Sequence, residues 1–149
     1  MFKHILVATD GSDLATDAVK QASQLAQTLK AKITIVTVSS MPSMFFGPDV
    51  WSPIMYEDIA KAIVEHSEAT LQKAAKLCTG DVDTVAVENA SAADGIVETA
   101  ERVGSDLIVM GSHGYRGINR LLLGSQASKV LSLAKGAVLI VKGHPQALT

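Results

Sequence analysis

Gly111, Gly114, Gly124 and Ser125 are the residues of this sequence whose types and spacing best suit chemistry. Glycine lets a backbone turn tightly and lets another group approach where a Cβ would stand. Successive exposed amides form a concave nest for an anion. A glycine and a hydroxyl at the start of a helix add free N–H groups and the positive end of a helix dipole, both of which favour phosphate. The chemistry implied is recognition of a phosphate-like anion. A Gly-x2-Gly pair by itself also marks ordinary structural turns, so the placement of the two ends of the stretch decides its meaning.

That placement follows from the elements on either side. Residues 106–110, apolar after Asp106, read as a buried strand, and residues 125–134 carry helical periodicity. Upstream, residues 4–9 form an apolar run that ends at the Asp10–Gly11 turn. Ser12 or Asp13 then caps a helix whose apolar stripe is Leu14, Ala18, Ala22, Leu25 and Leu29. Residues 33–38 are rich in β-branched side chains and read as a second strand. Residues 39–56 hold three prolines and four of the aromatics, Phe45, Phe46, Trp51 and Tyr56, and read as a long loop. Helical spacing returns at Glu57. It places Ala60, Ile63, Val64, Leu71, Ala74, Ala75 and Cys78 on an inward face, with Gly80 as C-cap. Residues 82–87 form a third strand. Ser91 and Asp94 resemble a capping box for the next helix, and Ala137–Val141 is a last strand.

Strands alternating with helices imply an α/β fold: a single doubly wound domain with a five-stranded parallel sheet and helices on both faces. Ligands of such sheets bind beyond the carboxyl ends of the strands, where the strand order reverses. The loops after Thr9, Val38, Val87 and Met110 lie at that edge. Those around Lys32, Gly80, Gly104 and Gly136 lie at the other edge and read as connectors.

Composition narrows the function classes. The chain has 149 residues, 48% apolar and 19% charged, which suits a folded core and not a disordered segment. A net charge of −2 with no basic run argues against nucleic acid or an anionic membrane as partner. No apolar run approaches the ~18 residues of a membrane span, so membrane insertion is not expected. The single cysteine, Cys78, makes no internal disulfide, and no secretory signal is visible; a cytoplasmic setting is expected. His4, His66 and His144 lack metal-ligand spacing. No catalytic Ser/His/Asp set can be assembled, and no Gly-x4-Gly-Lys-Ser/Thr loop is present.

The pattern Gly111-x2-Gly114-x9-Gly124-Ser125, the opening Val7-Ala8-Thr9-Asp10-Gly11-Ser12 and the closing Ala137-Val138-Leu139-Ile140-Val141 resemble the universal stress protein family of the ATP-binding type. The resemblance spans essentially the whole chain and implies an adenine nucleotide alpha hydrolase-like fold. It implies ATP as ligand, with Mg²⁺ or Mn²⁺, in a stress-response regulator whose occupancy alters conformation or contacts with a protein partner. By resemblance, Asp10 contacts the nucleotide or its metal, with Thr9 before it in the set. Val38 offers its backbone to the adenine edge, and Met110 lies at the pocket floor. Gly111 and Gly114 line the ribose and phosphates, while Gly124 and Ser125 hold the phosphates. His113 and Gln126 complete the set; Gln126 stands where relatives often carry an aliphatic residue. Relatives commonly dimerise through their last strands, which implies a homodimer through Ala137–Val141.

Several residues admit a second reading. Asp10 also suits capping of the turn into the first helix. His113 suits local hydrogen bonding as well as proton transfer. Arg116 and Arg120 reach a phosphate or face solvent. Phe45, Phe46 and Trp51 cover apolar surface, meet a partner or stack on a base. A slow ATPase or self-phosphorylating protein, and a scaffold that binds no nucleotide, stand beside the regulator. The phosphate cradle is present, but no general base is evident.

Overall fold

The structure, a computed structural model, describes residues 1–42, 53–114 and 122–143. The strands are β1 (His4–Ala8), β2 (Lys32–Ser39), β3 (Val82–Glu88), β4 (Leu107–Gly111) and β5 (Ala137–Val141). The helices are α1 (Asp13–Leu29), α2 (Pro53–Ala75), α3 (Ala92–Val103) and α4 (Ser125–Leu133). All strand pairs are parallel, in the order β3-β2-β1-β4-β5. The doubly wound α/β fold read from the alternation of periodicities is the one observed.

Two apolar layers sandwich the sheet. On one face Ile5, Val7, Ile33, Ile35 and Val109 pack against Ala18, Val19 and Ala22 of α1 and Leu71 and Ala74 of α2. On the other, Leu6, Val36, Ile108 and Met110 pack against Ile96 and Ala100 of α3 and Ala127 and Val130 of α4. Every residue of β4 is buried and β1 is buried from Ile5 onward, as expected of central parallel strands covered on both faces. Each fully buried Leu, Ile or Val of this kind contributes about 1.5–3 kcal/mol relative to exposure.

Local chemistry sets the helix ends. Ser12, not Asp13, caps α1: its Oγ accepts from the Ala15 amide at 3.3 Å. Ser91 caps α3 by accepting from the Asp94 amide at 3.3 Å. The return half of a capping box is absent. The Ser91 amide donates to Asn89 Oδ1 at 3.0 Å, and the Asp94 carboxylate turns to Lys129.

Helix α2 departs from expectation in three ways. It begins at Pro53, so residues 53–56, read as loop, are helical; proline at a first helical position loses no hydrogen bond. It ends at Ala75, not near Gly80, because the amides of Leu77 and Cys78 tighten onto the Ala74 and Ala75 carbonyls. Gly80, with φ +89°, serves the turn into β3. Its buried residues are Ser67, Leu71 and Ala74, while Val64, expected inside, is 55% exposed. The 23 residues of α2 make a helix of about 34 Å. The strands it covers reach about 23–26 Å. Its first turns therefore overhang the carboxyl edge, where no strand lies beneath them.

Candidate functional site

The strand order reverses between β1 and β4, so the loops after these strands diverge and leave a crevice at the carboxyl edge. A cleft of about 510 Å³ occupies this point. All four carboxyl-edge loops contribute: Thr9 and Asp10 after β1, Ser40 after β2, Ala90 and Ala92 after β3, and His113 and Gly114 after β4. Core residues Ala8, Val36, Ile96, Met110 and Ala127 also line the cleft.

The β1 loop is organised by its own side chains. The Thr9 amide continues the ladder to the Val36 carbonyl at 2.9 Å, and Thr9 Oγ1 accepts from the Gly11 amide at 3.1 Å. Gly11 takes φ +82°, which a side chain would oppose. Asp10 Oδ1 accepts from the Ser12 amide at 2.9 Å, so the turn-capping reading of Asp10 is realised. Asp10 also lines the cleft, and its Oδ2 lies so close to Gly114 that a Cβ there would overlap it.

The opposite wall is the neck of the glycine stretch. Gly111 belongs to β4 itself, paired with Val141, and a Cβ on it would stand 3.1 Å from Leu14 Cγ. The Ser112 amide donates to the Val141 carbonyl at 2.9 Å. The Gly124 amide donates to the Ser112 carbonyl at 2.7 Å, which draws the two ends of the stretch together. A Cβ on Gly124 would come within 2.7 Å of that carbonyl and 3.2 Å of His113 Cα. His113 Nδ1 lies 3.1 Å from Ser112 Oγ, the local hydrogen bond that was one reading of this histidine.

Gly124 is also the N-cap of α4, and no side chain caps this helix. Free first-turn amides and the positive helix end at Ser125 thus adjoin the cleft, an arrangement suited to an anion. Gln126 reaches across to the neighbouring helix, where its Oε1 accepts from the Ala93 amide at 2.9 Å. Lys129 adds a second tie, donating to Ser91 Oγ at 2.9 Å and Asp94 Oδ2 at 2.7 Å. The Lys129 ammonium, with Ser91, holds the Asp94 carboxyl below its ordinary value.

Thr9, Asp10, Val38, Met110, Gly111, His113, Gly114, Gly124, Ser125 and Gln126, chosen from sequence, all line this one cleft. Eight further lining residues, Ala8, Ala15, Val36, Ser40, Ala90, Ala92, Ile96 and Ala127, were not among those chosen from sequence; the apolar ones read only as core or helix positions, and only the carboxyl-edge rule pointed to the loops of Ser40 and Ala90. Arg116, Arg120, Phe45, Phe46, Trp51 and His144 lie outside the described residues. Cys78 donates weakly to the Ala74 carbonyl at 3.9 Å, and burial pushes its thiol up, which suits packing. Among the described residues no group of three or more His, Cys, Asp or Glu side chains is placed to hold a metal. Among them, too, no helix is long and apolar enough to cross a membrane.

A parallel sheet with a cleft at its switch point, walled by glycines and an uncapped helix start, defines a doubly wound α/β protein. The model of the universal stress protein family matches residues 1–142, and the chain belongs to that family. Universal stress protein MJ0531 of Methanocaldococcus jannaschii is 34% identical over 145 residues, which cover 95% of this chain and 83% of that protein. A universal stress protein solved in complex with cAMP is 30% identical with a TM-score of 0.70, over 96% of this chain and 99% of that one. The universal stress protein of Archaeoglobus fulgidus solved in complex with dAMP is 25% identical with a TM-score of 0.61, over 94% and 98%.

Proposed function

We propose that the chain is an adenine-nucleotide-binding stress regulator whose ligand is ATP, held in the cleft between β1 and β4. The observation that carries this reading is the pairing of two unlike walls in one crevice. On one side stand Gly114, Gly124 and the uncapped start of α4, whose free first-turn amides favour a phosphate. On the other stand Val36, Val38 and Ile96, an apolar surface suited to a base. Two similar structures hold cAMP and dAMP, each an adenine nucleotide with a single phosphate. That observation favours a second reading, in which an adenine monophosphate is the ligand.

The residues present suit a divalent ion that arrives with the nucleotide, not one resident in the protein. Asp10 is the one carboxylate among the described lining residues. Mg²⁺ is commonly bound by one or two carboxylates together with substrate phosphates. Asp10 would supply the protein oxygen, and the ion would neutralise phosphate charge. The Ser12 amide orients the Asp10 carboxylate through Oδ1.

Occupancy would bear on conformation through α4. This helix starts at the cleft and is tied to α3 by Gln126 and Lys129. We also propose a homodimer through β5, an edge strand whose outward Leu139 is 39% exposed, and a cytoplasmic location.

Thermal melting in Mg²⁺ with adenosine, AMP, cAMP or ATP tests the ligand. A ligand confined to the folded state and present at a hundred times its Kd adds about 2.7 kcal/mol of stability. A rise in Tm with ATP that exceeds the rise with AMP or cAMP supports ATP; the reverse order supports the monophosphate. No rise with any of them at millimolar concentration overturns nucleotide binding, and the scaffold reading replaces it.

A further inference from the structure

Gly95 lies inside α3, and a Cβ built on it would stand 2.9 Å from both Cγ1 and Cγ2 of Val38 and 3.3 Å from Asn89 Cβ. Glycine within a helix is unfavourable relative to alanine, because it loses more backbone freedom on folding. The position has a compensating geometry: the isopropyl group of Val38 occupies the notch that the missing Cβ leaves. Val38 is stiff at χ1, so it cannot swing away as a long unbranched side chain would. Val38, the residue before the last of β2, lines the cleft, and Ile96, the residue after Gly95, lines the same cleft from α3.

We infer that Gly95 is a positioning residue for the ligand, acting through Val38: the notch seats the Val38 side chain against α3 and sets the width of the cleft on its apolar side. The inference rests on the adenine-nucleotide reading. With the amide-rich wall at Gly114, Gly124 and Ser125 taking phosphate, the base falls to the wall of Val36, Val38 and Ile96. A side chain at 95 displaces Val38, α3 or both, and either movement changes the space left for a planar ring.

The test compares Kd values for ATP, by calorimetry in Mg²⁺, among the native chain, Gly95→Ala, Val38→Ala and Gly95→Ala/Val38→Ala. Tm without ligand is measured for each. Alanine at 95 favours the helix while crowding Val38, so the expected result is a folded variant that binds ATP about tenfold more weakly. Truncation of Val38 empties the notch but also removes part of the base wall, so Val38→Ala alone is the reference for the double variant, and the two are expected to bind ATP equally. A merely structural role would move Tm and leave the two substitutions independent in Kd. Native-like affinity in Gly95→Ala overturns the inference while leaving the nucleotide reading intact, as does a double variant weaker than Val38→Ala by the full Gly95→Ala loss. Should Gly95→Ala alone fail to fold, a double variant that folds and binds ATP as Val38→Ala does supports the inference, and one that does not overturns it. If the native chain binds no adenine nucleotide, the reading and this inference fall together.

Discussion

The amide of Gly124 donates to the carbonyl of Ser112 at 2.7 Å. This one bond fastens the end of β4 to the start of α4 and closes the neck of the glycine stretch. It leaves a Cβ at 124 nowhere to go, since the same carbonyl would lie 2.7 Å from it. Gly124→Ala is therefore expected to destabilise the fold by about 1–3 kcal/mol, the usual range for overpacking. Denaturant unfolding measures the loss. ATP-dependent stabilisation should vanish with it, because the α4 amides move with the neck.

A gentler probe of the same wall is Ser125→Asp. An acidic residue in the first turn of a helix favours the helix by about 0.3–1 kcal/mol, so the free protein should melt no lower than the native one. The carboxylate stands where a phosphate is proposed to bind, and like charges repel. ATP affinity should fall by about tenfold or more, and added salt should narrow the gap. Undiminished affinity would place the phosphate elsewhere.

Gln126 ties two helix starts together through the Ala93 amide. Gln126→Leu removes the acceptor and should cost about 0.5–1.5 kcal/mol, the net worth of an ordinary hydrogen bond. Hydrogen exchange localises the effect: the Ala93 amide should exchange faster, while amides of β1 and β4 keep their protection.

His4 makes stability depend on mild acid. Its Nε2 lies 2.8 Å from Thr34 Oγ1. Burial, reinforced by Lys32, pushes the imidazole below its ordinary value of 6.5, against smaller opposing effects of the Val103 carbonyl, Asp106 and Asp83. The unfolded chain therefore binds the proton more readily than the folded one. The contribution is complete above 6.5 and is lost as pH falls through the lowered folded value. Asp83, Asp94 and Asp106 are held below their ordinary 3.8, so their contributions are lost only in stronger acid. Urea midpoints between pH 7.5 and 5 should decline, and His4→Gln should flatten the decline. An unaltered slope in the variant would assign it to another group.

β5 is an edge strand, with Leu139 39% exposed on it. An apolar edge strand invites pairing, and an edge lysine discourages it. Light scattering of the native chain is expected to give the mass of a dimer, and Leu139→Lys that of a monomer. A native monomer would remove the dimer from the proposed function.

Much of this architecture was legible in the residues alone. The β-branched and apolar runs of β1, β2 and β4 read as buried parallel strands because a strand covered on both faces has no polar side to display. Ala137–Val141 and the start of α4 at Ser125 were read to the residue, because small residues and glycine punctuate them. The four carboxyl-edge loops followed from strand alternation. The ten chosen residues meet in one cleft because the parallel crossover rule brings those loops together whatever their sequence separation.

Tertiary structure decided what local pattern does not encode. Val64 has the spacing of an inward residue, yet the buried face of α2 runs through Ser67, Leu71 and Ala74 and leaves Val64 55% exposed. Asp94 has the position of a capping-box partner, yet Lys129 from another helix draws its carboxylate away. Gly95 is unfavourable within a helix by local propensity, yet Val38, from a strand far away in sequence, fills the notch it leaves. Periodicity reports which face of an element is apolar. It is silent on how far that element extends past its neighbours and on which distant side chain fills a missing Cβ, since both depend on the relative lengths and separations of elements that only the assembled fold sets.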